Sequence, residues 1–449
     1  MFSMPLQKFV AIGLATSVLA ACGGGGGGSD SGSDETTLQI YNASSNSTYL
    51  KVELGDEEYT FSNLSFADAT STSTIDNGTY DITISGVDSN GEYEEVHTTT
   101  GNVDKNNRNL FVFSGPYNDL QLHTIDFSVS DIEDEYMRLF IGDFSTDSTG
   151  YDIYIGESGT GFDLAEKVAT TQYGSVELSG EYLVDTYDVY ITDVANDEVL
   201  FTAESVSMSS ETAYFLLLRD TFGPSDTGIA LDRVTSSTTV YHYEDSYGDA
   251  QFRIISAYPE TVNISLQSGS ASFDYDDVET AETTPYKVVE YNDYSVTVTD
   301  LDDQVLINNV LLSLPQNDTK AAVIYVDEEG HAKGLSFDES VRELAYQSDL
   351  NFVNLANDIE QVDVYFVAPG ETIESTNYSF ESVDFEEVEN GVIPTDSYQI
   401  TVVVDNDDDT QFMLYQSDMI EFDDDKNYSL VLYKDDSATF GYNMVFAAE

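Results

Sequence analysis

Tryptophan is absent from this chain, cysteine occurs once, and basic side chains are scarce, with 15 Lys and Arg against 84 Asp and Glu. Each shortage excludes something. The one thiol, Cys22, cannot close an internal disulfide, so the folded units must stand on packing alone. The four histidines (His97, His123, His242 and His331) are scattered. With no C-x-x-C or H-E-x-x-H spacing either, no zinc site is expected. No G-x-S-x-G elbow marks a nucleophile, and nothing among so many carboxylates singles out a pair for glycoside hydrolysis. The chain is therefore expected not to be an enzyme. A net charge of −69 repels phosphate backbones, which removes nucleic acid as a partner. The lack of Trp removes the best sugar-stacking side chain, although Tyr can substitute.

Aromatic residues make up 12% of the chain, as 31 Tyr and 24 Phe, enough apolar mass for several cores despite the charge. The N-terminus carries the most specific signal. A short basic segment through Lys8 precedes an apolar run, Phe9 to Leu19, too short to span a bilayer as a helix. Leu19-Ala20-Ala21-Cys22 follows, resembling the lipobox of bacterial lipoproteins, in which the Cys thiol receives the lipid. That resemblance implies residues 1–21 as signal peptide, a multiply acylated Cys22, and, with Gly23 in place of Asp at the second mature position, the outer membrane. The protein would face the periplasm or the cell surface. Gly23 to Gly28 and the Ser/Gly/Asp run after it, to residue 36, read as a flexible tether.

Beyond residue 36 the chain repeats. A turn residue, any residue, Tyr and then alternating β-branched positions recur around Tyr80, Tyr187, Tyr294 and Tyr398, at intervals of 107, 107 and 104 residues. Each repeat opens with an apolar strand, as in Leu38-Gln39-Ile40-Tyr41, and continues with an alternating one such as Leu50 to Leu54. Each closes with a denser apolar strand such as Tyr214 to Leu217. Short strands of period two, with turn clusters every 8 to 12 residues, predict an all-β fold. The expected architecture is four tandem antiparallel, immunoglobulin-like β-sandwiches, spanning 37–131, 132–239, 240–341 and 342–449. About 100 residues suffice for such a unit to fold alone. Only Asp163 to Val168 and Val341 to Ala345 offer helix-like segments.

Asp76-Asn77-Gly78-Thr79-Tyr80 resembles the tyrosine corner of immunoglobulin-like sandwiches, where the phenol caps a loop by bonding backbone upstream. A ligand-binding Tyr is the alternative. Because all four tyrosines sit at the same strand start, a structural role is the expectation. The turn after each Tyr strand is acidic. Asp88, Asp302, Asp405, Asp407 and Asp409 are therefore candidate Ca²⁺ ligands, the one cofactor the composition suggests, although Asp and Asn are also ordinary hairpin-turn residues.

Asn354-Leu355-Ala356 with Val362-Asp363-Val364-Tyr365, and Ser256-Ala257-Tyr258-Pro259 in the third repeat, are similar to a tandem domain-of-unknown-function family. That family is found in bacterial surface lipoproteins and carries N-A-x-P and V-D-V-Y motifs. The resemblance covers 37–449 loosely and implies an exported β-sandwich protein with no assigned activity. Two function classes follow. One is a non-catalytic envelope lipoprotein presenting its domains for structural or binding roles. The other is an accessory module that captures polysaccharide for a partner enzyme or transporter. The expected partners are the membrane, through the lipid, and a protein or glycan ligand.

Overall fold

The computed structural model describes residues 36–88, 93–128, 132–146, 148–195, 198–225, 227–269, 271–405, 410–423 and 425–448. The expected signal peptide, Cys22, the glycine run, Asp407 and Asp409 lie outside them. The first repeat contains eight strands: β1 (Thr37–Ala43), β2 (Leu50–Leu54), β3 (Tyr59–Leu64), β4 (Ser73–Thr74), β5 (Gly78–Val87), β6 (Tyr93–Val103), β7 (Arg108–Ser114) and β8 (Gln121–Phe127). They form two four-stranded sheets of order β4-β1-β7-β8 and β3-β2-β5-β6. The other three repeats reproduce both orders, giving eight sheets and four tandem sandwiches. No helix among the described residues is long and apolar enough to cross a membrane.

The connectivity adds detail that periodicity does not carry. In the immunoglobulin constant-type order the first two strands are neighbours in one sheet. Here β1 and β2 lie in opposite sheets, and β1 pairs parallel to β7. The same parallel pairing joins Tyr136–Asp143 to Ala213–Asp220, Ala250–Ser256 to Thr319–Val326, and Gln347–Leu355 to Tyr428–Lys434. Every other strand pairing is antiparallel among the described residues. The dense apolar strand is the seventh of each unit, and an eighth follows it. In the second unit a further short strand, Tyr241–Tyr243, pairs with Ile229–Val234 and carries that unit past residue 239. Of the two helix-like segments, one holds only a single 3-10 turn at Phe162–Leu164 before the edge strand Glu166–Thr170, and 341–345 is not helical. Both are too short to nucleate a helix without tertiary support.

Burial patterns explain the dense strands. The sheet containing β2 is covered on one face and alternates, as Leu50–Leu54 shows with every second residue buried. In the sheet containing β1 and its counterparts, the central strands are buried continuously: β7 from Asn109 through Ser114, and Ala250–Ser256 of the third unit throughout. Such strands need cover on both faces. One face meets the core of its own sandwich, where Leu38, Ile40, Val52, Ile84 and Phe111 pack together. The other face meets the corresponding sheet of the next sandwich. Tyr41, Leu110 and Val112 of the first unit pack on Phe140, Phe215 and Leu217 of the second. Phe140 stacks on Phe215 with ring centroids 4.8 Å apart. Ile255, Val323 and Tyr325 of the third unit likewise pack on Val353, Val431 and Val445 of the fourth. The four sandwiches thus form two stacks, each four sheets deep, with an apolar seam between the two inner sheets.

The stacks also touch each other. The guanidinium of Arg342, between the third and fourth units, donates from Nε to the Ser45 carbonyl at 2.7 Å and lies over the Phe66 ring, 4.7 Å from its centroid. Ala345 N donates to Asn46 O at 2.9 Å, and Asn317 Nδ2 to Asp245 O at 2.9 Å. The architecture is a compact assembly, not a string.

The seams change what a single repeat can do in isolation. Cut to residues 346–449, the fourth unit would leave Val353, Leu355, Val431, Tyr433 and Val445 in water, each contributing roughly 1.5–3 kcal/mol when buried. We expect that fragment to aggregate or melt far below the paired fragment 245–449, which should unfold in one cooperative transition. Equal melting temperatures for the two, measured by calorimetry, would show that the seam contributes nothing.

Candidate functional site

Each repeated tyrosine stands near the start of the fifth strand of its unit, and its hydroxyl donates to the carbonyl four residues upstream. Tyr80 reaches Asp76 O at 2.8 Å, Tyr187 reaches Leu183 O at 2.7 Å, Tyr294 reaches Glu290 O at 2.7 Å, and Tyr398 reaches Pro394 O at 3.1 Å. The bond ties the entering loop to the strand it feeds. Burial raises all four phenols, Tyr80 to about 12, so they remain protonated donors. Tyr294 and Tyr398 are 1% and 2% exposed, whereas Tyr80 and Tyr187 are only half-buried.

The acidic turns bond inward. Asp300 Oδ1 accepts the amides of Asp302 and Gln304 at 2.9 and 2.8 Å, and Asp405 accepts from Gln411 Nε2 at 2.9 Å. Among the described residues no three His, Cys, Asp or Glu side chains converge in a way that could hold a metal ion. Asp88, Asp302 and Asp405 sit in three different repeats, and the structure does not bring them together.

Clusters of buried titratable side chains lie at the seams. In the first seam, Tyr41 Oη donates to Asp232 Oδ2 at 2.6 Å and Arg219 Nε to the same oxygen at 3.0 Å, while His242 Nδ1 lies 2.9 Å from Oδ1. Asp232 is fully buried. Its hydrogen bond raises the pKa of His242, and burial, with Asp232 beside it, raises that of Tyr41. Elsewhere in this seam Ser114 Oγ is 2.9 Å from His123 Nε2 and 3.1 Å from Tyr173 Oη. That is the geometry of a nucleophile and its base. Ser114, however, has no exposed surface, and burial depresses His123, whose ring bonds the Gly174 backbone. A Ser–His pair and a His–Asp pair therefore occupy separate places, and neither completes a triad.

At one end of the second seam the two inner sheets leave a cleft of about 350 Å³. Arg253 grips Glu339 through two nitrogens, at 2.8 and 2.6 Å. Tyr286 Oη donates to Glu339 Oε2 at 2.6 Å, and Ser429 Oγ donates to Oε1. Asn351, Asn390, Asn427 and Asp349 complete the polar wall. Burial raises the pKa of Asp349, with Ser340 and Arg342 opposing that rise. Spacing could not reveal these residues, because Arg253 and Glu339 are 86 positions apart and meet only through the sheet. The one advance signal is compositional: an Arg placed inside an otherwise apolar first strand, Phe252-Arg253-Ile254-Ile255, needs an acid nearby.

The chain matches no protein-family model and no curated protein sequence.

Two expectations follow. Tyr398→Phe leaves the Pro394 carbonyl unpaired in the core and should cost about 1 kcal/mol, seen in the denaturation midpoint, while Tyr80→Phe, half-exposed, should cost less. The reverse ranking would break the link between burial and the cap. The second concerns pH. The pKa of His242 is raised on folding, so its contribution is fully present below the unfolded value of 6.5 and is lost as pH rises through the folded value. His123, depressed by burial, slopes the opposite way, so the comparison must be with His242→Gln. The stability difference between wild type and this variant should shrink from pH 6 to pH 8. A constant difference would remove His242 as a titrating partner of Asp232.

Proposed function

We propose that this chain is a non-catalytic lipoprotein of the bacterial cell envelope, held to the outer membrane through acylated Cys22, whose paired sandwiches serve structural or binding roles. The observation that carries the non-catalytic part is how the reactive groups are spent. Both oxygens of Glu339 are taken by Arg253, Tyr286 and Ser429, and Ser114 is sealed in a seam. A general acid or nucleophile needs access to substrate, and these groups have partners instead. The anchor rests on the lipobox-like Leu19-Ala20-Ala21-Cys22, and the outer-membrane address on Gly23. The loose motif similarity to the domain-of-unknown-function repeats of surface lipoproteins points the same way. Accessory capture of polysaccharide is the second reading, favoured by the amide-lined cleft between the third and fourth sandwiches.

Replacement Cys22→Ser should abolish labelling by radioactive fatty acid and move the protein from the membrane pellet to the soluble fraction. If the variant still sediments with outer membranes, the lipid is not what holds it. Turnover of any glycan or ester substrate by the purified chain would end the non-catalytic reading.

A further inference from the structure

The second seam changes character along its length. On the face of the fourth sandwich that meets the third, Val388, Val353, Val431 and Val445 form one row across four adjacent strands. Two positions further along each of the first three strands, on the same face, the row becomes Asn390, Asn351 and Ser429. The valine row packs against Ile255 and Val323. The amide row faces Arg253 across the cleft instead.

We propose that this cleft is a binding site for a neutral, polyhydroxylated ligand of about one sugar ring. The proposal deepens the binding role put forward above and rests on it. Charge is the first argument. In a chain of net charge −69, the carboxylates at this cleft each lie near a base: Glu339 has Arg253, Asp338 shares Lys320 with Asp318, at 2.9 and 3.4 Å, and Asp349 has the field of Arg342. Charge at the cleft is thus largely compensated within an acidic molecule, which favours a neutral ligand over an anion or a cation. Valence is the second argument. Both oxygens of Glu339 are engaged, but the exposed Asn390 amide makes no hydrogen bond among the described residues, and Asn351 makes one, 3.3 Å long, to Ser429 Oγ. A primary amide both donates and accepts, as a sugar hydroxyl does. Size is the third: about 350 Å³ is at the small end of ligand sites, and such sites favour domain interfaces.

The test uses the full-length chain in detergent, titrated by calorimetry and by ligand-observed NMR. Methyl glucoside and methyl galactoside probe a free ring, and a neutral tetrasaccharide probes a glycan end. Glucuronate and glucosamine are the charged controls. We expect at least one neutral probe to saturate at about millimolar concentration or below, and the charged analogues to bind more weakly. Asn390→Leu, at the rim, and Asn351→Leu, inside, should each weaken binding about ten-fold or more, the rim variant with an unchanged melting temperature. The proposal is overturned if no neutral probe saturates, if a charged control binds tighter than its neutral analogue, or if Asn390→Leu binds as well as wild type. Failure here is separable from failure of the broader reading. A chain that ignores these probes yet stays lipid-anchored and turns nothing over loses its ligand, not its class.

Discussion

The rest of this structure depends on inner sheets whose central strands are wetted on neither face. A free-standing sandwich needs one apolar face per sheet. The inner sheets have two, because each is pressed against the inner sheet of a neighbour. Stacked sheets sit roughly 10 Å apart, close enough for side chains from both to interlock, so the seam is as much a core as either sandwich interior. That makes the folding unit a pair. It also accounts for the parallel pairing of first and seventh strands at the centre of each inner sheet, since parallel pairs are found where both faces are covered.

Scarce positive charge is concentrated where this burial creates a need for it. Of the six arginines, Arg219, Arg233 and Arg253 are at most 8% exposed, and Arg342 sits against the first sandwich. The guanidinium is suited to this, since its planar fork can meet a carboxylate with two bonds and its face can lie on an aromatic ring. Arg253 does both, gripping Glu339 and lying 4.8 Å from the centre of the Tyr286 ring. The lysines at these pairings sit further out, as Lys320 and Lys434 do, and their exposed pairs contribute little. Repulsion among the 84 acids is thus opposed by packing, with Arg219 and Arg253 neutralising Asp232 and Glu339, while the buried Asp143 and Asp188 are held by hydroxyl and amide donors instead.

Much of this was legible in the residues, and the limit is a physical one. The Tyr spacing is legible because the cap is local: the bond spans four residues, so sequence alone carries both ends. The strands are legible because alternation records a half-wetted face. Pairing across a seam is not local, and Tyr41 meets Asp232 across 191 positions. The apolar run at Tyr214 to Leu218 did carry the information, since a strand with no polar face has no face for water. Read as a closing strand it says only that the strand is buried; read as a two-faced strand it calls for a second layer. Lipidation of Cys22 and the calcium question at Asp407 and Asp409 fall outside the described residues.

The position of the cleft follows from the same constraint. Twisted sheets that pack in register at one end of their shared face diverge toward its corners, because neighbouring strands rotate by roughly 20–25°. Where the sheets are close, only apolar side chains fit without an unpaired polar group, and the valine row is found there. Where they part, water reaches the surface and amides can be carried at little cost. Replacing Asn390 or Asn351 therefore alters the polar surface of the corner and leaves the valine row that joins the sandwiches intact. A seam of this kind separates cohesion along the closed rows from the polar surface at the open end, so the corner's chemistry can vary without disturbing the fold that supports it.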